Sequence, residues 1–387
     1  MTRLAYVTTY DARPDASPTA LLGVQGAGRS IAFELVSRGV EVDFVGPLVL
    51  KVSLGTRAWR FLERRTWGTD WPAWFCRSFR RGLAREVERL LARGRYDAVF
   101  SPQNFWPFSY LNFAGPMVVW TDAPFALQLG AIGNLRPSVR QFAVAEERAA
   151  FLRCSKVVVA SQWAKSETEK LFGFDDGRVL EINWGGNAGG VDQDTHALLL
   201  QRRQASLNWH LLFVGIDWER KGLKVAMALA EALNEMRPTV LHVVGPRRAE
   251  LPFEVPEYVR LYGRLSPSQE SERTKLRTLY ADCQVFMLPS HWENFGQVLC
   301  EANSYGLPCL GSTAGGIPSI IKEGVNGYCL DVAAPTERWV ELFLQIQSDY
   351  QQMSHNAYRE YQERLSWRAA VGRLCEELDW GGSRLRL

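Results

Sequence analysis

The sequence predicts an α/β protein made of two doubly wound domains, each built on a parallel sheet. Short apolar runs alternate with segments of helical periodicity, which is the pattern of strand–helix–strand units. A glycine-rich break at residues 185–190 interrupts this alternation, which then resumes. The length of 387 residues is natural for two domains that each bury a core.

Composition excludes several classes of protein. The chain is 47% hydrophobic and 22% charged, which argues against a disordered or fibrous chain. A formal charge of +3 is too small to indicate a nucleic-acid partner, and none is expected. Seven cysteines without paired spacing indicate reduced thiols. No signal peptide and no run of about 20 apolar residues is found, so we expect a cytoplasmic protein, soluble or peripheral at the inner face of a membrane.

The first half contains six apolar runs that predict strands and three segments that predict helices. Residues 4–8 form a short strand, and an irregular segment, 10–28, precedes a helix at 29–38 that Gly39 ends. The remaining strands are expected at 40–45, 98–100, 117–120, 156–160 and 179–182, with further helices at 139–154 and 164–172. The connections through helices require parallel strand pairing.

The second half repeats this organisation after the break. Four glycines in residues 185–190 predict a flexible joint, so we divide the chain into domains 1–187 and 188–365. Strands are expected at 211–214, 240–244, 259–262, 285–288, 309–311 and 327–330, with a helix at 224–234. Residues 365–378 have an amphipathic helical pattern, which makes 366–387 a separate terminal segment.

The most informative stretch begins where the strand at 285–288 ends. It reads Leu-Pro-Ser-His-Trp-Glu-Asn-Phe-Gly-Gln-Val-Leu-Cys-Glu-Ala from Leu288 to Ala302. Ligands of open α/β sheets bind beyond the carboxyl ends of strands. A helix expected from about Asn294 would offer the N–H groups of Phe295 and Gly296 to sugar hydroxyls or phosphate oxygens.

Two carboxylates, Glu293 and Glu301, flank this turn. Eight helical residues span about 12 Å, whereas the acid and base of a glycosidase lie about 5–10 Å apart. The spacing favours contacts with two different parts of one extended ligand. Glu293 would contact a sugar ring, and Glu301 would accept hydrogen bonds from ribose hydroxyls. The alternative is a helix-terminal glutamate followed by a buried structural carboxylate.

This stretch resembles the signature of the family 4 retaining glycosyltransferases, which have the GT-B fold. Residues 211–332 carry the resemblance, including the run from Gly306 to Gly327, whereas the N-terminal half matches weakly. The resemblance implies two Rossmann-like domains facing a central cleft and a C-terminal helix that crosses back to the first domain. It also implies retention of anomeric configuration, no required metal, and a nucleotide diphosphate sugar as co-substrate. Its motif places Ser290, Asn294, Phe295, Gly296 and Glu301 at the donor.

A basic loop follows the strand at 211–214. Gly215 ends the strand, and Arg220 and Lys221 precede a helix. Lys221 supplies a point charge for a departing diphosphate, and Arg220 could grip its oxygens bidentately. Family members usually have an arginine where Ile216 stands, so Arg220 is expected to replace it. The resemblance also implies that backbone near Arg264 holds the nucleobase, and nothing there distinguishes one base from another.

The first half offers weaker candidates. The glycine-rich segment 23–28 precedes a predicted helix, so its backbone could approach a phosphate or an acceptor, or it could be a plain turn. The family resemblance implies that this segment, with Gly28, lies opposite the donor diphosphate. Asp122 ends a strand where the family often has a His-Asp pair, so it could orient the sugar or the acceptor hydroxyl, or only cap the strand. Asp192 and Asp194 form a DxD pattern away from any strand end, and no metal site is expected there.

Residues 51–95 combine twelve basic residues and four acidic residues with tryptophans. Trp59, Trp67, Trp71 and Trp74 stand among the arginines. Such a segment could contact an anionic membrane surface or bind an acidic or glycolipid acceptor. The alternative is a solvated helical face with aromatic core positions.

Together these features predict a retaining hexosyltransferase that moves sugar from a nucleotide diphosphate sugar to a hydroxyl of a small-molecule, glycan or glycolipid acceptor. The catalytic residues are expected to be Glu293, Lys221, Arg220 and Asp122. Three alternatives remain: an epimerase or phosphorylase of similar architecture, an inactive nucleotide-sugar-binding protein, and a dehydrogenase suggested only by the glycine segment. The sequence does not indicate the oligomeric state.

Overall fold

The chain folds as two compact units in a computed structural model that describes residues 2–13, 23–48, 52, 54–68, 76–103, 105–129, 135–266 and 268–380. Among these, residues 24–182 and 371–380 belong to the first unit together with 2–13, and residues 183–370 form the second. The second unit thus begins slightly before the boundary predicted at residue 188.

The first unit is a parallel sheet of six strands in the order β2-β1-β3-β4-β5-β6. Its strands are β1 Arg3–Val7, β2 Glu41–Val45, β3 Ala98–Pro102, β4 Met117–Thr121, β5 Lys156–Val159 and β6 Val179–Glu181. Its helices are α1 Gly23–Ser37, α2 Leu54–Trp67, α3 Arg77–Leu91, α4 Pro137–Arg153 and α5 Gln162–Phe172. The predicted strands and helices are confirmed to within a few residues, except that α1 begins six residues before the predicted start at residue 29. Helices α2 and α3 were not predicted as elements.

The local sequence explains why these elements begin and end where they do. All five residues of β3 and of β4 are buried, as expected for central strands of a parallel sheet covered on both faces. Ser161 caps α5 by accepting a hydrogen bond from the Ala164 N–H at 3.1 Å. Gly173 ends that helix with φ +66°, a left-handed conformation that glycine adopts without steric cost.

The second unit is also a six-stranded parallel sheet, in the order β12-β11-β10-β7-β8-β9. Its strands are β7 Trp209–Val214, β8 Thr239–Val244, β9 Val259–Gly263, β10 Val285–Leu288, β11 Cys309–Ser312 and β12 Gly327–Leu330. Its helices are α6 Gln193–Gln204, α7 Leu223–Asn234, α8 Glu270–Asp282, α9 Gln297–Asn303, α10 Ile317–Ile320, α11 Thr336–Ser348, α12 Tyr350–Glu360 and the first residues of α13 Trp367–Leu378. The strand order reverses between β7 and β10, which is where such sheets bind ligands.

Two glycines of the run at residues 185–190, where a flexible joint was predicted, pack closely against other backbone. Gly185 and Gly186 are buried, and a Cβ on Gly185 would overlap with the backbone of Trp367. A Cβ on Gly186 would lie 2.9 Å from the Glu301 N–H nitrogen. These glycines are therefore required for close backbone packing within the second unit.

The last helix of the described residues is α13, whose final residues belong to the first unit. Trp380, just after the helix, packs edge-on against Phe100 of β3 with ring centroids 5.6 Å apart. Among the described residues, no helix is long and apolar enough to cross a bilayer.

Candidate active site

The predicted basic loop and the predicted carboxylate loop meet at the carboxyl ends of β7 and β10. The loop after β7 carries Arg220 and Lys221, and the loop after β10 carries Glu293. These two strands are adjacent and parallel in the sheet. Residues that are distant in sequence are thus brought together at the position where the strand order reverses.

Glu293 lies between both cations. Its carboxylate forms an ion pair with the Lys221 ammonium and lies 3.5 Å from the Arg220 guanidinium. Glu293 is 8% exposed, so these charges interact in a partly desolvated environment. Arg220 is also fixed by Asp217 at 3.1 Å and by the Trp292 carbonyl at 2.8 Å. The arrangement places two fixed cations and one carboxylate within a few ångströms of one another.

Gly222 locks the two loops together. Its φ is +78°, and a Cβ added there would overlap with the carbonyl oxygen of Pro289. The N–H of His291 donates to the Arg220 carbonyl at 2.8 Å, which adds a direct hydrogen bond between the loops. A glycine is therefore needed to keep the basic loop against the end of β10.

We expect Gly222→Ala to lower the free energy of unfolding of the second unit by about 2–4 kcal/mol, because strain and overlap with Pro289 add. Gly324→Ala is the matched control, since Gly324 has φ +69° but open space around its Cβ position. That control should cost only about 1 kcal/mol, from the left-handed conformation. Denaturant unfolding compares the two, and equal losses would contradict the close approach inferred here.

The turn after Glu293 presents backbone donors. Gly296 has φ +94° and precedes α9, which begins at Gln297 rather than near Asn294 as predicted. Within the described part of the chain, no acceptor contacts the N–H groups of Phe295 or Gly296. The Phe295 ring is 2% exposed and packs edge-on against Trp184 at 6.5 Å, so the turn is anchored by its side chain.

Glu301 is held in a buried network on α9. It accepts a hydrogen bond from the Tyr280 hydroxyl at 2.9 Å and one from the Asn187 N–H at 3.3 Å. Burial raises the pKa of Glu301, and these two hydrogen bonds oppose that rise. Asn187 is in turn fixed by the Trp367 indole at 2.9 Å. The carboxylate is thus pre-oriented by groups from three parts of the second unit.

A pocket of about 470 Å³ lies beside these groups. Predicted donor residues Gly215, Lys221, Arg264 and Glu301 line it, and so does Ile216. Further lining residues of the second unit are Asn187, Ala188, Val214, Val244, Gly245, Leu265, Ser266, Arg273, Leu276, Arg277, Gln297 and Val298. An apolar wall with a few converging cations and one buried carboxylate suits a nucleotide.

Two other predicted donor residues, Ser290 and Asn294, do not line this pocket. Ser290 is fully buried, and its carbonyl accepts from the Ser312 hydroxyl at 2.6 Å. Arg264 does line the pocket, and its guanidinium is paired with Glu250 at 2.8 Å. Asn294 follows Glu293 directly and is half-buried.

In the first unit the prediction of a glycine loop at residues 23–28 is wrong. These residues form the beginning of α1, and Gly28 lies within the helix. The Tyr6 hydroxyl donates to the Gly28 carbonyl at 2.5 Å, and the Tyr10 hydroxyl occupies the space that a Cβ would need. Gly28 is therefore required for packing against two tyrosines. This packing explains the glycine without the contact to the diphosphate that was expected of it.

Asp122 follows β4, as predicted, and its carboxylate is engaged locally. It accepts from the Ala123 N–H at 2.8 Å and from the Thr121 hydroxyl at 3.3 Å. The next turn, Phe125–Gln128, is fixed by Glu147 of α4, which accepts from the N–H groups of Phe125 and Ala126 at 2.7 Å each. Asp122 thus caps the end of its strand, which was the alternative predicted for it. The buried carboxylate of Glu147 fixes the turn that follows by accepting its two N–H hydrogen bonds.

Burial raises the pKa of Glu147 from 4.5 to about 7. The native state therefore binds this proton more tightly than the unfolded chain, and stability falls as the pH rises from about 4.5 to 7. The free energy of unfolding of the first unit should fall by up to about 3 kcal/mol over this pH range because of Glu147. We expect Glu147→Gln to remove that fall, because glutamine does not titrate. Denaturant unfolding of both proteins across this range tests it, and parallel profiles would contradict it.

The aspartates of the DxD pattern do not form a cluster of metal-ligand type. Asp192 caps α6 and accepts from the Thr195 N–H at 2.7 Å. Among the described residues, no group of three His, Cys, Asp or Glu side chains has the arrangement to hold a metal ion.

Comparison with known proteins agrees with this architecture. Residues 202–363 match the family model described as glycosyl transferases group 1. A D-inositol 3-phosphate glycosyltransferase of Paenarthrobacter aurescens (strain TC1) is 24% identical over 291 residues, which are 70% of this chain and 69% of that protein. A sulfoquinovosyl transferase of Arabidopsis thaliana is 34% identical over 107 residues, 27% of this chain and 21% of that protein.

Solved structures show the same fold at low identity. A sucrose-phosphate synthase from Thermosynechococcus elongatus has a TM-score of 0.66 and 16% identity, and the match covers 98% of this chain and 99% of that one. Anabaena HepE in complex with UDP and glucose has a TM-score of 0.62 and 16% identity, covering 98% and 100%. The two doubly wound units and these structures establish the GT-B fold. The chain is a glycosyltransferase, and its residues 202–363 are similar to the group 1 family.

Several residues of the site were not singled out from the sequence. Asn187 stood within the glycine run and was taken as part of a joint, although it connects Glu301, Gln297 and Trp367. Tyr280 lies in the stretch that resembles the family, but its hydrogen bond to Glu301 depends on the packing of α8 on α9.

Proposed function

We propose that this chain transfers a hexose-type sugar from a nucleotide diphosphate sugar to a hydroxyl acceptor, with retention and without a metal. The observation that carries the proposal is the convergence of Lys221, Arg220 and Glu293 at the strand reversal of the second sheet. Lys221 and Glu301 both line the pocket beside them. A nucleotide diphosphate bound there could therefore contact Lys221 through its phosphates and Glu301 through its ribose.

Each group has a chemical task in this proposal. Glu301 accepts from the ribose hydroxyls, and the N–H groups of Phe295 and Gly296 hold the sugar. An ammonium has three N–H donors and a guanidinium has five, so Lys221 and Arg220 retain donors for phosphate oxygens while they contact Glu293. They stabilise the negative charge that develops on the diphosphate as the bond to the anomeric carbon breaks. Glu293 orients Lys221 and accepts from a sugar hydroxyl.

The bond changes balance without a protein nucleophile. The bond from the anomeric carbon to the diphosphate oxygen breaks, and the acceptor oxygen bonds to that carbon on the same face. The acceptor proton passes to the departing phosphate oxygen. Asp122 is assigned to orienting the acceptor hydroxyl, and its carboxylate also caps its own loop.

We expect the transfer reaction to need no metal ion, because Lys221 and Arg220 can neutralise the charge of the diphosphate. This expectation can be tested directly. With Lys221 and Arg220 supplying positive charge, EDTA should leave the transfer rate within about twofold of the untreated enzyme. Activity that disappears with EDTA and returns with magnesium or manganese would overturn this part of the proposal, and Asp192→Ala would then show whether the DxD pattern is responsible.

The whole proposal is tested in two stages. Thermal shift with UDP, GDP and ADP identifies the base, and incubation of the corresponding nucleotide sugars with candidate acceptors then measures transfer. Anabaena HepE was solved with UDP and glucose, so UDP-glucose is the first donor to test. Nucleotide binding without turnover on any acceptor would favour the inactive binding protein, and consumption of free phosphate would favour a phosphorylase.

A further inference from the structure

Helix α2 of the first unit exposes an apolar face. Leu54 is 81% exposed, Phe61 68% and Leu62 52%. With exposed Ala58, these positions recur at the i, i+4, i+7 and i+8 spacing that places side chains on one side of a helix. Isolated exposed apolar residues are ordinary, whereas a continuous row on one helix marks an interaction surface.

The polar side chains of α2 divide between its two faces. Thr56 and Glu63 are buried, and Glu63 forms an ion pair with Arg136. The helix therefore directs its one acidic residue inward. Arg57, Arg64 and Arg65 are exposed on the outer side, and Trp59, 53% exposed, lies at its margin.

The charge of this helix is unusual for the chain. Residues 54–67 contain four arginines and one glutamate, an excess of three positive charges, which equals the formal charge of +3 of all 387 residues. Because the glutamate is buried and paired, the exposed face is both apolar and cationic. A second copy of the chain docked through this face would bring like charges together across a two-fold axis.

We propose that α2 docks on an anionic lipid surface and lies in the plane of the membrane interface. Leu54, Phe61 and Leu62 enter the boundary between headgroups and acyl chains, and the arginines contact the anionic headgroups. Trp59 occupies the interfacial level that tryptophan prefers. At 14 residues the helix is about 21 Å long, so it rests on the interface rather than spanning it.

Not every basic residue of the segment 51–95, where a membrane contact was expected, is available to contact lipid. Arg80 of α3 is 1% exposed, and its guanidinium lies over the Phe105 ring at 5.8 Å. Its burial lowers its pKa, and the carboxylates of Glu146 and Glu147 oppose that effect. Arg80 therefore belongs to the interior and contributes nothing to lipid binding. Trp71 and Trp74 lie outside the described residues.

Co-sedimentation with vesicles tests this proposal without any sugar substrate, so its outcome is independent of the proposed function. The full chain should sediment at low salt with vesicles of phosphatidylglycerol and phosphatidylcholine, but not with phosphatidylcholine alone. High salt should reduce the bound fraction, because exposed charges are screened within about 10 Å at 0.1 M.

Two variants separate the contributions. Leu54→Ser, Phe61→Ser and Leu62→Ser together should abolish sedimentation at any salt. Arg57→Gln, Arg64→Gln and Arg65→Gln together should weaken it about 100-fold, since each arginine contributes about fivefold. Arg85→Gln, Arg89→Gln and Arg95→Gln remove three exposed charges elsewhere in the same unit, and this control should retain binding. Thermal unfolding confirms that all three variants fold.

Three results would overturn the proposal. The intact chain could stay in the supernatant at low salt with anionic vesicles. The arginine control could lose binding as fully as the α2 variant, which would assign the attraction to overall charge. Sedimentation velocity could show a dimer that the serine variant dissociates, in which case a second copy and not lipid covers α2.

Discussion

Replacing Glu293 by glutamine should lower the turnover of glycosyl transfer by about two decades or more while a free nucleotide diphosphate still binds. The amide keeps the size of the side chain but removes the charge that pairs with Lys221 and Arg220. Loss of one preorganised electrostatic contact at a reacting centre typically costs about 10²–10³ in rate. The nucleotide should still bind, because Glu301 and the apolar wall of the pocket are unchanged.

The measurement pairs initial rates at saturating donor with calorimetric titration of the nucleotide diphosphate. Glu323→Gln is a control of the same charge change on an exposed carboxylate of the same unit. Near-normal turnover of Glu293→Gln would remove Glu293 from the mechanism. Parallel loss of turnover and nucleotide affinity would instead assign Glu293 to the structure of the basic loop, since the neutral side chain could leave Lys221 misplaced.

The part of the candidate site that follows β10 could be predicted because its residues are contiguous in the sequence. Glu293 to Glu301 occupy one loop and one helix after a buried strand, so spacing along the chain determines their spacing in the fold. Lys221 lies at the end of the strand that becomes the neighbour of β10. Once both strands are recognised, the parallel sheet requires their following loops to lie at one edge.

Contacts between distant segments explain what the sequence did not indicate. Four glycines near residue 187 predict a flexible joint because nothing nearby in the sequence shows that the backbone of Trp367 and of α9 packs against two of them, Gly185 and Gly186. Gly28 read as part of a loop because glycine is unfavourable in helices, yet the Tyr10 hydroxyl fills the space of its missing side chain.

The burial of Arg80 likewise could not be predicted from the sequence. In a segment with twelve basic residues it read as part of a solvated face. In the fold it is buried at helical spacing with Phe79 and Leu83 on α3, near the two carboxylates of α4. Only the tertiary pairing of α3 with α4 distinguishes it from Arg81 and Arg85, which are exposed. A run of like charges therefore does not reveal which member faces the core.

Replacing Lys221 by methionine should lower kcat/KM by about 10²–10³, because the ammonium is expected to stabilise charge on the departing diphosphate. Its side chain is 12% exposed and lines the pocket, and methionine fills a similar volume without the charge. Lys224→Met is the matched control. Lys224 lies one turn further along the chain, over the rings of Trp218 and Phe253, and does not line this pocket.

A double-mutant cycle that combines Lys221→Met with Glu293→Gln then distinguishes two roles of Lys221, stabilising the diphosphate and pairing with Glu293. If Lys221 and Glu293 act only through each other, the second substitution should cost little once the first is present. If Lys221 also contacts the diphosphate, Lys221→Met should still lower kcat at least about tenfold in the Glu293→Gln background. Because charge stabilisation of a leaving group is greatest in the transition state, the loss should appear in kcat more than in the affinity for the nucleotide sugar. A loss confined to affinity would show that Lys221 binds the ground-state donor and does not accelerate its cleavage.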